Sequence, residues 1–236
     1  LLLRSPLAEG ASNFHLRNHT GLLFLYDFTE GQRSEDVPTH ARDITGRYLM
    51  GNLTTSPTAV SWSASRQGMT IPSPSGGARA TSQQSSATLV AGLGSEFSLE
   101  FFFSSPVNPL SQSLLIAGFG NWPPGANFAD CVASNATEGG WRLFSSLGGV
   151  IQFTGVFSVG SEPTCVNVGA SVTTNELRHL VVRAKTGIVS FISHGNTNTA
   201  SATSPSFDPA LWRRHPAVLT IASPHTETGW TGSLFM

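Results

Sequence analysis

Two kinds of side-chain grouping in this sequence bear on catalysis: paired carboxylates and a pair of histidines. The carboxylate pairs are Asp27/Glu30 and Glu35/Asp36. Glycoside hydrolysis needs two carboxyl groups facing each other across a cleft, roughly 5–10 Å apart. Residues i and i+2 of a strand share a face, so an E-x-D-x-x-E cluster would supply them, and none occurs. Both existing pairs fall at loop edges. Asp27 reads as a turn anchor, because Asp carboxylates accept hydrogen bonds from nearby backbone N–H groups. His15 and His19 have i, i+4 spacing, which makes a metal pair only on a helix, and the residues around them carry no helical pattern. His179 falls on the outer face of a strand and reads as structural. No HExxH, GxSxG or GxxxxGK[ST] motif occurs. The expectation is that the chain is not an enzyme.

Recognition chemistry has a better candidate. Glycan binding uses an exposed aromatic ring with amides and carboxylates beside it. The stretch Gly120–Gly140 holds Trp122, in Asn121-Trp122-Pro123-Pro124, together with Asp130. Trp122, Asn121 and Asp130 are therefore the ligand-binding candidates, although an exposed and a core position fit Trp122 equally. Trp62, Trp141, Trp212 and Trp230 lie on strands or apolar turns and read as core. Calcium takes six to eight oxygen ligands. Asp130, Glu138, Asn121 and Asn127 share the same loop, but no DxDxD-type run is present. The loop reads as one pinned by Cys131, and the expectation is no metal and no cofactor.

The two cysteines, Cys131 and Cys165, fit either two buried thiols or a disulfide of a secreted protein. Three Asn-x-Ser/Thr sequons, at Asn18, Asn52 and Asn135, tilt the reading toward an extracellular glycoprotein with a Cys131–Cys165 bridge between two loops. Such a bridge would restrict the unfolded chain by about 3–4 kcal/mol.

The elements that must position these residues are strands. The 236 residues carry 15 Phe and 5 Trp, and only 11% are charged, which argues against disorder. Net charge is −1 and no basic block occurs, so the cationic stripe of a nucleic-acid binder is missing. No apolar run reaches the roughly 18–20 residues of a membrane helix. Leu1-Leu2-Leu3-Arg4 is too short for a signal-peptide core.

Phe97–Phe103 (FSLEFFF) sets Phe97, Leu99, Phe101 and Phe103 on one face and Ser98, Glu100 and Phe102 on the other, the alternation of a half-buried antiparallel strand. Further strands are expected at Leu22–Phe28, Tyr48–Leu53, Met69–Ile71, Ala87–Leu89 and Leu114–Phe119. A hairpin, Trp141–Leu147 with Val150–Phe157, turns on the two residues Gly148-Gly149. A second, Leu177–Ala184 with Ile188–His194, turns around Lys185-Thr186-Gly187. The last strands are Ala217–Ala222 and Trp230–Phe235. Residues 1–20 read as a lead-in, and Phe207–His215 as one helical turn capped by Asp208. Strands across the whole chain with no sustained 3.6-residue period give an all-β antiparallel sandwich.

These segments, in order, resemble a family. Leu23–Gly31 (LFLYDFTEG), the turn Asp43-Ile44-Thr45-Gly46, Phe97–Phe103, Glu176–Arg183, Phe191–Gly195, Leu219–Ala222 and Gly229–Leu234 (GWTGSL) are similar to successive motifs of the laminin G-like, concanavalin A-like lectin/glucanase class. His194 stands where that class has Asp, and Leu177-Arg178 where it has Trp. The resemblance covers residues 21–236 and implies a jelly-roll β-sandwich lacking its last strand, as a fragment of a longer protein. The implied function is a non-catalytic extracellular module of a cell-surface or matrix glycoprotein, mediating adhesion or assembly with other proteins. A carbohydrate-binding lectin is the alternative and a glucanase the remote one.

Overall fold

A computed structural model describes residues 2–4, 22–26, 28, 40, 41, 43, 45, 53–55, 60–62, 68–71, 79–85, 96–105, 114–119, 140–146, 150–159, 162–171, 176–185, 187–193, 196–199, 218–222 and 232–234. Every regular element among them is a strand: β1 (Leu2–Arg4), β2 (Leu22–Leu25), β3 (His40–Ala41), β4 (Leu53–Thr55), β5 (Ser61–Trp62), β6 (Met69–Ile71), β7 (Arg79–Ser85), β8 (Phe97–Ser104), β9 (Leu114–Phe119), β10 (Trp141–Ser145), β11 (Val150–Val159), β12 (Glu162–Ser171), β13 (Arg178–Lys185), β14 (Ile188–Ser193), β15 (Asn196–Thr199), β16 (Val218–Ala222) and β17 (Gly232–Leu234). They form two sheets. One runs β15-β14-β13-β8-β17-β6-β5, with β1 beside β8 and β2 beside β1; the other runs β12-β11-β10-β9-β16-β7-β4-β3.

The alternation in β8 decides how the sheets meet. Phe97, Leu99, Phe101 and Phe103 are buried, while Ser98, Glu100, Phe102 and Ser104 are half-buried on the opposite side. Leu180, Val182 and Ala184 of β13 and Val189 and Phe191 of β14 join the buried side. The other sheet answers with Trp141, Leu143, Ile151, Phe153, Phe157, Leu219 and Ile221, in one continuous core. Rings bridge the layers: Phe97 stacks on Phe157 at 6.4 Å, and Phe101 meets Trp141 edge-on at 6.0 Å. Offset and edge-to-face arrangements are those the ring quadrupole favours. Trp141 also stacks on Phe153 at 6.1 Å. It faces Gly155 across the strand pair, and a Cβ on Gly155 would lie 2.7 Å from the Phe157 ring and 3.1 Å from that of Phe153.

At one end, Asp43 ties two segments together. Its buried Oδ1 accepts hydrogen bonds from the Leu25 N–H (3.1 Å), the Thr45 N–H (3.0 Å) and the Thr45 hydroxyl (2.8 Å). The turn expected at Asp43-Ile44-Thr45-Gly46 is thus held by an Asp side chain closing on the backbone two residues on. Asp43 also bridges to Tyr26, whose phenol is pushed upward first by burial and then by the Asp43 charge.

Several details differ from the sequence reading. Leu2–Arg4, inside the expected lead-in, form a strand between β2 and β8. The first hairpin has a three-residue connection, because Ser146 already bonds Val150 (N–H to carbonyl, 2.9 Å) and leaves residues 147–149 between them. The second is tighter: Lys185 pairs with Ile188, and Gly187 takes φ +82°, where a residue without Cβ carries no steric penalty. Cys165, placed on a loop by sequence, lies inside the ten-residue strand β12. The helical turn at 207–215, the strand at Ala87–Leu89 and the Asp27, Glu30, Glu35, Asp36, His15 and His19 positions lie outside the described residues.

Candidate functional site

The outward face of the nine-stranded sheet carries a cluster that pairing register assembles from distant sequence. His179 of β13 sits opposite Phe102 of β8, and Val181 opposite Glu100. The His179 ring stacks on Phe102 with centroids 4.3 Å apart and planes within 7°. Its Nε2 lies 2.6 Å from Glu100 Oε1. A carboxylate only accepts, so Nε2–H donates. The His179 side chain is 45% exposed and that of Glu100 15%. One imidazole is therefore gripped by a ring face and a carboxylate on an open surface. Phe102 in β8 and His179 in β13 are placed there by the same alternation that sends Phe101, Phe103 and Leu180 into the core. Among the described residues no hydrogen bond joins His179 to a hydroxyl or thiol, so the trio has the parts of a binding platform and no paired nucleophile. Nor do the described residues contain a group of three or more His, Cys, Asp or Glu arranged to hold a metal.

The eight-stranded sheet offers a different outward face. One polar row crosses all its strands: His40, Thr54, Thr81, Thr220, Gly118, Arg142, Thr154 and Asn167, each opposite the next. Thr154 donates from its hydroxyl to the Asn167 side-chain oxygen. Thr54 and Asn167, near the ends, are exposed. The middle is not. Arg142 is 6% exposed, Thr154 1% and Thr220 4%, and the adjacent Phe144 and Leu115 are 0% and 1%. None of these belongs to the central core; they make a second interior on the far side of the sheet and present no surface to a ligand. The two sheets meet at one corner, where Asn198 of β15 donates from Nδ2 to the Gly169 carbonyl of β12 at 2.8 Å.

Of the sequence candidates, Trp122, Asn121, Asp130, Cys131, Asn18, Asn52 and Asn135 lie outside the described residues, as do Trp212 and Trp230. Trp141 is core, as expected. Cys165 is half-buried, and the described residues contain no free cysteine. The sequence reading put Phe102 and Glu100 on the polar face of their strand and His179 on the outer face of its own, but did not join them. Their separation is 79 residues, and only the β8–β13 register brings them together.

No family model matches the sequence, and no curated protein does. Among solved structures, the chain is similar to Trypanosoma rangeli sialidase in complex with sialic acid, with a TM-score of 0.50 and 12% identity over 90% of this chain and 29% of that one. The same sialidase with 2,3-difluoro-KDN gives 0.51 at 10% identity over 98% and 32%. The CBM40 of the Ruminococcus gnavus IT-sialidase bound to α2,3-sialyllactose aligns at 0.46 and 10% identity over 71% and 85%. The chain thus spans about a third of the sialidase's length. At these identities the sialidase likeness shows the fold alone: an antiparallel jelly-roll β-sandwich.

Proposed function

We propose that this chain is a non-catalytic glycan-recognition module of an extracellular protein, with its ligand face on the outward side of the nine-stranded sheet. One observation carries the reading: Phe102, His179 and Glu100 form an accessible aromatic and carboxylate platform there, while the middle of the opposite face is buried. Sugars are recognised by ring stacking against their C–H faces and by a few well-placed polar groups that fix orientation, and this trio supplies both. The jelly-roll fold supports the reading only as a scaffold, because fold does not decide function. Laminin G-like adhesion or assembly within a larger glycoprotein would be served by the same face.

The compartment belongs to the same proposal: a Cys131–Cys165 bridge and sugar on Asn18, Asn52 or Asn135. Intact mass before and after reduction and deglycosylation measures both. Two free thiols and a bare chain would remove the extracellular premise. The ligand reading is tested on a glycan array including sialylated, neutral and sulfated oligosaccharides, with and without calcium. Binding that disappears in Phe102→Ala and His179→Ala supports it; a native protein that binds nothing on the array ends it, and turnover of a polysaccharide would replace it with the hydrolase reading.

A further inference from the structure

The row beside the Phe102–His179 pair has a chemistry of its own. Two residues along β8 and β13, the register sets Glu100 opposite Val181, Val181 opposite Ile192 and Ile192 opposite Thr197 of β15. These side chains stand on the open side of the sheet, because their chain neighbours Leu99, Phe101, Leu180, Val182 and Phe191 are the buried ones. Val181 and Ile192 are half-buried, and Thr197 is exposed. Cross-strand neighbours lie about 5 Å apart and residues two along a strand about 7 Å apart. Val181 and Ile192 therefore make a two-residue apolar shelf one step from His179, with the Glu100 carboxylate at one end and the Thr197 hydroxyl at the other.

The size of the shelf selects its occupant. The aromatic row bounds it on one side, and the polar row Ser98, Arg183 and Ser190 on the other. Two aliphatic side chains fall far short of the roughly 800 Å² per partner that a stable protein interface buries, yet they suffice to cover a methyl group. The carboxylate beside them asks for a donor. Glu100 already accepts the His179 Nε2–H and makes further interactions. A carboxylate offers about four acceptor sites, so a ligand N–H joins that set without requiring a vacant group.

Resting on the glycan-binding reading above, we infer that this row is a subsite for the acetamido group of an N-acetylated sugar. The sugar ring lies against the Phe102–His179 pair, the acetyl methyl on Val181 and Ile192, and the amide N–H donates to Glu100. A trans amide is planar and holds its methyl and its N–H on the same side of the C–N bond, as Val181 and Glu100 stand side by side across β13 and β8. A 6-deoxy sugar brings a methyl without the amide donor, and a plain hexose brings no methyl.

The experiment compares affinities within pairs of oligosaccharides of one linkage, N-acetylhexosamine against hexose, led by chitotriose and cellotriose, with a 6-deoxyhexose oligosaccharide as a third arm. The native protein is set beside Val181→Thr, Glu100→Gln and Phe102→Ala, with thermal midpoints confirming folding. The native protein is expected to favour the acetylated member by about ten- to a hundredfold, the combined effect of one covered methyl and one hydrogen bond to a carboxylate. Val181→Thr and Glu100→Gln each lower that ratio by about three- to tenfold, and Phe102→Ala weakens both members alike. Saturation-transfer NMR on the native protein needs no variant: the acetyl methyl should receive more transfer than the ring protons. Equal affinity within every pair, a ratio untouched by Val181→Thr, a preference for the 6-deoxy sugar, or weaker transfer to the methyl overturns this inference and leaves glycan recognition standing. Binding to no glycan overturns both.

Discussion

Asp43 shows how much one side chain can settle. Its single oxygen serves a backbone donor of β2 and both donors of Thr45. Asp43→Ala leaves the buried Leu25 N–H without its carboxylate acceptor, and chemical denaturation should register a loss of about 2–4 kcal/mol. Its neighbour Tyr26 gives a pH prediction. The folded phenol titrates above its unfolded value, because burial and the Asp43 charge both disfavour phenolate. Above about pH 10 the unfolded state therefore binds fewer protons than the folded one, and stability falls as pH rises. A spectrophotometric titration should show one of the two tyrosines ionising only as the fold is lost. The His179–Glu100 hydrogen bond on the open face behaves differently. Its His179 partner is 45% exposed, so a double-mutant cycle of Glu100→Gln and His179→Ala should return a coupling of about 0–1 kcal/mol. A trio that contributes little to stability leaves its ligand effects easy to isolate.

Strands rich in apolar residues were legible from sequence; polar ones were not. β8, β13 and β14 were expected within a residue or two, because apolar side chains alternate inward along each, and β9 and β10 are mostly apolar and buried. β12 (EPTCVNVGAS) was missed: only Val166 and Val168 are buried among polar and small residues. β7 (RATSQQS) hid in a Ser- and Gln-rich stretch, since its inward positions are Ala80 and Ser82. Ser82 is tolerated inside because its hydroxyl accepts the Leu219 N–H at 2.9 Å. β15 (NTNT) has no apolar residue at all; it exists by pairing with β14. The platform was invisible for a related reason, since pattern within a strand fixes the face a residue takes and says nothing of the neighbour across the sheet. Gly155 belongs to this scale. With Phe153 and Phe157 closing on the space where its Cβ would be, Gly155→Ala forces rings in a dense core off their positions. Thermal unfolding should show a loss of about 1–3 kcal/mol.

At the scale of the molecule, the order of strands matters more than any contact. β16 lies between β9 and β7, and β17 between β8 and β6. Both come from the last 19 residues of the sequence, 218–236. Deleting residues 201–236 should therefore split each sheet, and we expect a protein with no cooperative unfolding transition by calorimetry, where loss of a peripheral strand would lower the midpoint and keep the transition. The same geometry bears on how a cell makes this chain. Residues emerge in order, at about 5–20 per second. Until the last few dozen have followed, β8, β6, β9 and β7 each stand with an open edge, and an unpaired edge is a template for a neighbouring chain. A nascent copy is thus exposed to its polysome neighbours until β16 and β17 have emerged. Yield should depend on holding factors during translation more than on the stability of the finished sandwich.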